Sequence, residues 1–311
     1  MSEKRSILYV DDTKLHRLMV SKLLSEKGFS VILAESVDEG IKKYHENQVD
    51  LILSDIEMPD KNGFDLISYF REIKTSTPMI MLTSSNINKH IDLAMKYDVG
   101  NILSKEYAQE QLAPYIELLL SKNFFGFEKY LKNPVETVRV SLKSSHMLHD
   151  LMDEIVNFAV QKAGLPQDVS YDIRYFLEET LTNALYHARG KTDLKKKGEH
   201  LVLEEKDEVF VEYGHNGELF GFCVTDLEGS LTKQIALKSI KKCLDIEKAL
   251  AEGDFEAFEQ ADSGRGIHTV RSMASDFYVN IEKNKKTEIV VLIQKEKKKR
   301  DNPPSLIINE V

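Results

Sequence analysis

The stretch Leu51-Ile52-Leu53-Ser54-Asp55 decides the fold of the first part of the chain. An apolar run this short reads as a buried strand, and the acid that closes it then stands at the strand's carboxyl end. The same form recurs on either side. Residues 7–10 run into Asp11 and Asp12, residues 79–82 into Thr83, and residues 101–103 lead to Lys105, while 31–33 supply a fifth run. Between the first two runs, Leu15, Leu18, Met19 and Leu23 are spaced as one face of a helix, which Gly28 ends. Strands alternating with helices five times predict an α/β domain with a doubly wound five-stranded parallel sheet. Its functional site belongs at the carboxyl ends of the strands.

That edge collects Asp11, Asp12, Asp55, Thr83 and Lys105. Three carboxylates held together repel one another unless a cation sits among them, and an oxygen-only ligand set suits Mg²⁺. A carboxylate can attack a phosphoryl group when the charge developing on the transferring oxygens is neutralised, here by Mg²⁺ and Lys105. The Thr83 hydroxyl can follow a phosphoryl oxygen once attached and move its loop. These five positions, with the turn Met58-Pro59-Asp60-Lys61-Asn62-Gly63, resemble the response-regulator receiver family over residues 6–122. The resemblance implies a flavodoxin-like receiver in which Asp55 accepts phosphate from an upstream histidine kinase or phosphotransfer protein. It also implies that Asp11, Asp12 and the backbone carbonyl of Glu57 hold Mg²⁺. Two positions depart from the family pattern: Glu106 replaces the usual proline after the lysine, and Ile102 stands where an aromatic switch residue is common.

With 311 residues the chain is long enough for two domains, and 42% hydrophobic with 30% charged residues is a globular composition. A net charge of −9 argues against direct nucleic-acid binding, and no helix-turn-helix follows the first domain. The basic run 295–300 reads as a solvated segment after a strand. Cys223 and Cys243 have no histidine at metal-ligand spacing and read as reduced thiols. No secretory h-region and no run of ~20 apolar residues is present, so a cytoplasmic protein without membrane contact is expected.

The helical pattern from Glu106 is interrupted by Asn123, Gly126, Asn133 and Pro134. The expected organisation is therefore a receiver at 1–122, a linker at 123–134, a second domain at 135–295 and a basic, then apolar tail at 296–311. Phe124-Phe125-Gly126-Phe127 is too apolar for a free linker and is expected to pack against a domain. The second part reads as a strand at 135–140, helices at 146–163 and 170–188, and strands at 209–213, 220–225, 277–281 and 288–293. A helix at 232–260 separates the middle two strands. Helices on one face of a mostly antiparallel sheet make an α+β two-layer sandwich. Residues 305–311 are expected to be frayed, with docking on a partner or on the chain's own sheet edge as the alternative.

Glu179, Asn183 and His187 recur every fourth residue, placing a carboxylate, an amide and an imidazole on one helix face. Asp226 ends a strand with Gly229 just beyond, and Gly264-Arg265-Gly266 opens a helix, where exposed amides suit phosphates. In this order, with a final strand through Thr287, the pattern resembles the ATP-binding domain shared by histidine kinases, gyrase-type ATPases and anti-sigma serine kinases (the GHKL type). The segment 177–188 looks most like the anti-sigma branch. The resemblance implies that Asn183 binds Mg²⁺, Glu179 is the catalytic base, Asp226 reads adenine, Gly264 and Gly266 border the lid, and Thr287 lies on the adenine side. The glycine-poor Asp226–Gly229 stretch and Lys286 before Thr287 depart from that pattern.

Three outputs stay open. One is a kinase that phosphorylates serine or threonine on a partner of the sigma-factor or antagonist class. Another is a non-catalytic module that sequesters such a partner. The last is a hybrid histidine kinase using His146 or His149. A homodimer is compatible with each.

Overall fold

The computed structural model describes residues 4–106, 108–254, 266–296 and 304–311. They form two units, Met1–Phe124 and Phe125–Val311.

In the first unit, five parallel strands, β1 (Ser6–Val10), β2 (Ser30–Ala34), β3 (Leu51–Asp55), β4 (Met79–Thr83) and β5 (Asn101–Ser104), lie in the order β2-β1-β3-β4-β5. Every residue of β3 is buried, as expected for a central strand covered on both faces. The intervening helices are α1 (Lys14–Glu26), α2 (Val37–Glu46), α3 (Gly63–Glu72), α4 (Ile91–Lys96) and α5 (Ala108–Ser121). Leu8, Val10 and Ile52 pack with Val37, Leu66 and Phe70 from α2 and α3. Ser36 caps α2 by accepting from Glu39 N, and Asn62 with Asp65 forms a reciprocal capping box on α3.

Helix α1 forms where that spacing places it. Lys27 N and Phe29 N both donate to Leu24 O, so the helix stops at Gly28 as expected. Leu15, Leu18 and Met19, however, are 63%, 54% and 49% exposed, and Leu24 is the buried residue. Helical periodicity finds an apolar stripe; it does not say which end of the stripe meets the sheet.

In the second unit, strands β6 (Glu136–Leu142), β7 (Val209–His215), β8 (Leu219–Asp226), β9 (Asp276–Glu282), β10 (Lys286–Gln294) and β11 (Leu306–Glu310) run in the order β11-β9-β10-β8-β7-β6. All pairs are antiparallel except β11 with β9. Helix α6 (Leu148–Gln161) packs against β7 and against α7 (Ser170–Thr182). The short α8 (Thr192–Lys196) follows, then α9 (Lys233–Ala251) against β11 and α10 (Gly266–Met273) against β9. The helix expected over 170–188 is α-helical only to Thr182 and continues as a π-helical turn, Asn183–His187. Of the helix expected over 232–260, Lys233–Ala251 is formed and 255–260 lie outside the described residues.

Two segments read as irregular belong to this unit. Around Gly126, part of the expected linker, the backbone N–H donates to Glu288 Oε2 at 3.0 Å, and Tyr130 packs its ring on Tyr278 at 4.5 Å. Residues 306–310, expected to fray, are instead strand β11, with Leu306, Ile307 and Ile308 buried. Asn309 Nδ2 donates to Asn280 Oδ1, whose own amide donates to Tyr130 Oη and Glu288 Oε1. A strand whose polar residue finds a buried partner no longer has reason to fray. Both cysteines are buried and neither is in a disulfide. Among the described residues no helix is long and apolar enough to cross a membrane.

Gly63 was read as a turn glycine. It is the first residue of α3, and its role is close approach: a Cβ there would lie 2.3 Å from the Asp55 carbonyl oxygen and 2.4 Å from Met81 Cε. Gly63→Ala is therefore expected to cost about 1–3 kcal/mol by overpacking, measured by urea unfolding, and to slow phosphorylation of Asp55 as its carbonyl is pushed aside.

Candidate functional site

At the carboxyl edge of the first sheet, Asp11 follows β1, Asp55 ends β3, Thr83 ends β4 and Lys105 follows β5. The parallel register that places these ends side by side brings one oxygen from each of Asp11, Asp12 and Asp55 within 4.8 Å of the others. Asp11 and Asp55 are buried and Asp12 is exposed. Lys105 Nζ bridges the two buried acids, 2.8 Å from Asp11 Oδ2 and 2.6 Å from Asp55 Oδ2. Asp11 is further fixed by Tyr9 Oη, which donates to Oδ2 at 2.6 Å, and by Thr13 N, which donates to Oδ1 at 2.8 Å. Burial raises the Asp55 carboxyl above the ordinary range, opposed by the Lys105 hydrogen bond and charge.

Three convergent carboxylates with one exposed member are a donor set for a hard cation that keeps water in its shell, so the residues present fit Mg²⁺. Bound there, the ion would neutralise charge on transferring phosphoryl oxygens. The chain's own groups stand close together, the buried Asp55 carboxylate beside the Lys105 ammonium and the Thr83 hydroxyl at the adjacent strand end, and in such an arrangement a carboxylate could attack a phosphoryl group whose charge the ammonium would meet.

Sequence reasoning assigned Glu57 a backbone role and overlooked its side chain. That carboxylate accepts from Thr83 Oγ1 at 2.9 Å and from Ser85 Oγ at 2.5 Å, and lies 3.0 Å from His90 Nε2. Burial alone would raise its pKa, but the hydrogen bonds from His90, Ser85 and Thr83 outweigh that and hold it at about 2. No sequence period links residues 57, 85 and 90; only the β3–β4 pairing does. Arg17, also unassigned, donates from Nη1 to the carbonyls of Asp11 and Asp12. Ile102, at the family's aromatic position, is fully buried in β5 and is a core residue.

In the second unit, Asp226 at the end of β8 stands directly opposite Thr287 of β10. Asp226 Oδ1 accepts from Glu228 N and Gly229 N at 3.0 and 3.2 Å. Gly229 has φ +58°, and a Cβ there would meet the Glu282 carbonyl and Lys285 N at 2.5 Å, so the loop closes tightly without a glycine-rich sequence. Thr287 Oγ1 is buried with no hydrogen-bond partner. Asn183 opens the π-helical turn, which packs against β8, while α7 packs against α10. Gly266 faces Glu179 so closely that a Cβ would lie 2.1 Å from Glu179 Oε2. Burial raises the Glu179 carboxyl. Glu179 and Asn183 are half-buried and His187 is exposed, so the three do not share one environment. Gly264 lies outside the described residues. His146 stacks on His200 at 3.6 Å, and His149 sits in the first turn of α6, which packs on the sheet and on α7.

Burial raises the Asp226 carboxyl from 3.8 to about 6, and the two loop amides only partly offset it. The folded state thus holds this proton more tightly than the unfolded chain, and stability falls as pH rises from about 4 to 6. Asp226→Asn, whose amide oxygen can still accept both loop amides, is expected to stabilise the protein at pH 7 by up to about 3 kcal/mol. The gain should shrink to nothing as the pH falls to about 4, measured by thermal unfolding across that range.

Residues 7–117 match the family model "Response regulator receiver domain". Among curated proteins, the chain is 30% identical over 122 residues to the transcriptional regulatory protein RprY of Bacteroides fragilis, covering 39% of this chain and 52% of RprY. It is 28% identical over 161 residues to the transcriptional regulatory protein CusR of Escherichia coli, covering 51% of this chain and 63% of CusR. The chain thus spans about half to two thirds of these relatives' own length. A solved receiver-domain structure from Clostridium thermocellum is 26% identical, covering 39% of this chain and 97% of its own, with a TM-score of 0.36. Residues 7–117, with their cluster of Asp11, Asp12 and Asp55, are a response regulator receiver domain of a two-component system.

Proposed function

We propose that phosphorylation of Asp55 by an upstream histidine kinase or phosphotransfer protein controls an ATP-binding second domain, which phosphorylates serine or threonine on a protein partner. The observation that carries the nucleotide reading is the pairing of Asp226 with Thr287. A buried carboxylate is held next to a buried hydroxyl that has no hydrogen-bond partner among the described residues. Such groups are costly to bury unless something completes their hydrogen bonds, and an adenine amino group with its ring nitrogen would do so.

Around that pair, the Asn183 turn on β8 and the start of α10 beside Glu179 supply an amide oxygen for a phosphate-bound Mg²⁺ and a helix N-terminus for phosphates. The raised Glu179 carboxyl suits a base one helical turn from that amide. The partner class, a sigma factor or its antagonist, rests on the resemblance of 177–188 to the anti-sigma kinases.

Calorimetric titration of the full chain with Mg²⁺–ATP, with and without beryllofluoride on Asp55, tests the reading. Wild type should bind ATP, and Asp226→Asn and Asn183→Ala should each weaken binding at least about tenfold, the loss of one well-made hydrogen bond or ligand. Glu179→Gln should retain binding but lose about 10²–10⁴ in γ-phosphate transfer. Absence of nucleotide binding in every state would overturn the nucleotide reading, and binding with no transfer by wild type would replace the kinase with a sequestering module.

A further inference from the structure

The hydroxyl that must follow a phosphoryl group on Asp55 is already engaged. Thr83 Oγ1 lies 2.9 and 3.0 Å from the two oxygens of the Glu57 carboxylate. Those oxygens also take Ser85 Oγ at 2.5 Å and His90 Nε2 at 3.0 Å, and His90 Nε2 lies 2.8 Å from Ser85 Oγ. Beside a carboxylate, Nε2 must carry its hydrogen to make that contact favourable. The four residues come from separate places: Glu57 from the loop after β3, Thr83 from the end of β4, Ser85 from the loop that follows, and His90 from the single turn Ile87–His90.

The two ends of this network differ in how firmly they are held. The Glu57 side chain is 44% exposed, whereas that of His90 is 12% exposed. The His90 ring lies 6.3 Å from Phe64, which in turn stacks on Tyr97 at 5.8 Å. A half-exposed glutamate has several solvated rotamers, and leaving them costs conformational entropy. A fixed donor on the protein side selects one of them. The rotamer selected here is the one that reaches across Thr83.

We propose that His90 is a positioning residue for the phosphorylation of this receiver: it fixes Glu57 across Thr83 and so opposes the turn of Thr83 toward a phosphoryl group on Asp55. With Thr83 turned, its bond to Glu57 is broken. With Thr83 held, the phosphoryl oxygen lacks its donor. A group that stabilises one of two such states lowers the apparent affinity of any ligand that needs the other. His90 therefore sets how readily the phosphorylated form is reached without touching the reacting atoms.

The sign of the effect separates this role from plain electrostatics. Removing an imidazole that carries any positive charge should weaken binding of an anionic phosphoryl mimic, whereas removing a positioning residue of this kind should strengthen it. The test is calorimetric titration of the full chain with beryllofluoride in saturating Mg²⁺, together with a separate Mg²⁺ titration.

His90→Ala is expected to tighten beryllofluoride binding about tenfold, the factor matching one hydrogen bond, with Mg²⁺ affinity unchanged within about twofold. Glu57→Ala, which keeps the backbone carbonyl, should tighten it at least as much. In the Glu57→Ala background His90→Ala should add nothing, the non-additivity of residues acting through one contact. His90→Asn, whose side-chain amide restores a donor, should return toward wild type and covers the case in which His90→Ala misfolds. Weaker or unchanged binding in His90→Ala, or an equal gain with and without Glu57, would overturn the proposal.

Discussion

Two buried carboxylates, Asp11 and Asp55, share one ammonium, and the first domain is arranged around that fact. Burying two like charges side by side is unfavourable, and at Asp55 burial outweighs the Lys105 hydrogen bond and charge. The arrangement survives because β1, β3 and β5 belong to one parallel sheet whose interior residues are buried and apolar. The apolar strands supply the stability, and the acids at their ends are held where they would not choose to be. A divalent cation arriving there would find its carboxylate ligands already brought together. This is the ordinary meaning of a preorganised site: the cost is met during folding and not during reaction.

How much of this could be read from the sequence depended on whether the controlling interaction was local. Strands 7–10, 51–53 and 79–82 were legible because a central parallel strand must be apolar throughout, and the polar residue that closes each run marks its end without further information. Asp11, Asp12 and Asp55 followed from those ends. The face of α1 was not legible, because Leu15, Leu18 and Met19 satisfy the helical period equally well whether they meet the sheet or solvent. Glu57 escaped because its partners arrive from the far side of β4. In the second domain, β11 escaped because five residues after a basic stretch carry no sign of the strand they will join. Asp226 and Gly229 were legible as a strand end and a turn, yet their pairing with Thr287 needed the β8–β10 register.

The second domain answers a different constraint with the same means. Glu288 and Asn280 lie on neighbouring strands, both buried, and burial pushes the Glu288 carboxyl up. They are tolerated because Gly126 N, Tyr130 Oη and Asn309 complete their hydrogen bonds. A buried polar network of this sort is favourable only when every member is present. The segment after the first domain and β11 thereby each complete the buried polar groups of the β9–β10 hairpin.

Strand β11 also fixes an order of events during synthesis. It joins β9 in parallel, and parallel neighbours cannot form from a tight turn. Until residues 306–310 leave the ribosome, the outer edge of β9 has no β11 to pair with, and Asn280 lacks the Asn309 amide. Closing the sheet is consequently a late, long-range step in the folding of this domain, after the local hairpin β9–β10 is available. A nascent chain paused before that point would present an unpaired strand edge carrying a polar group meant for the interior, the kind of surface that chaperones retain.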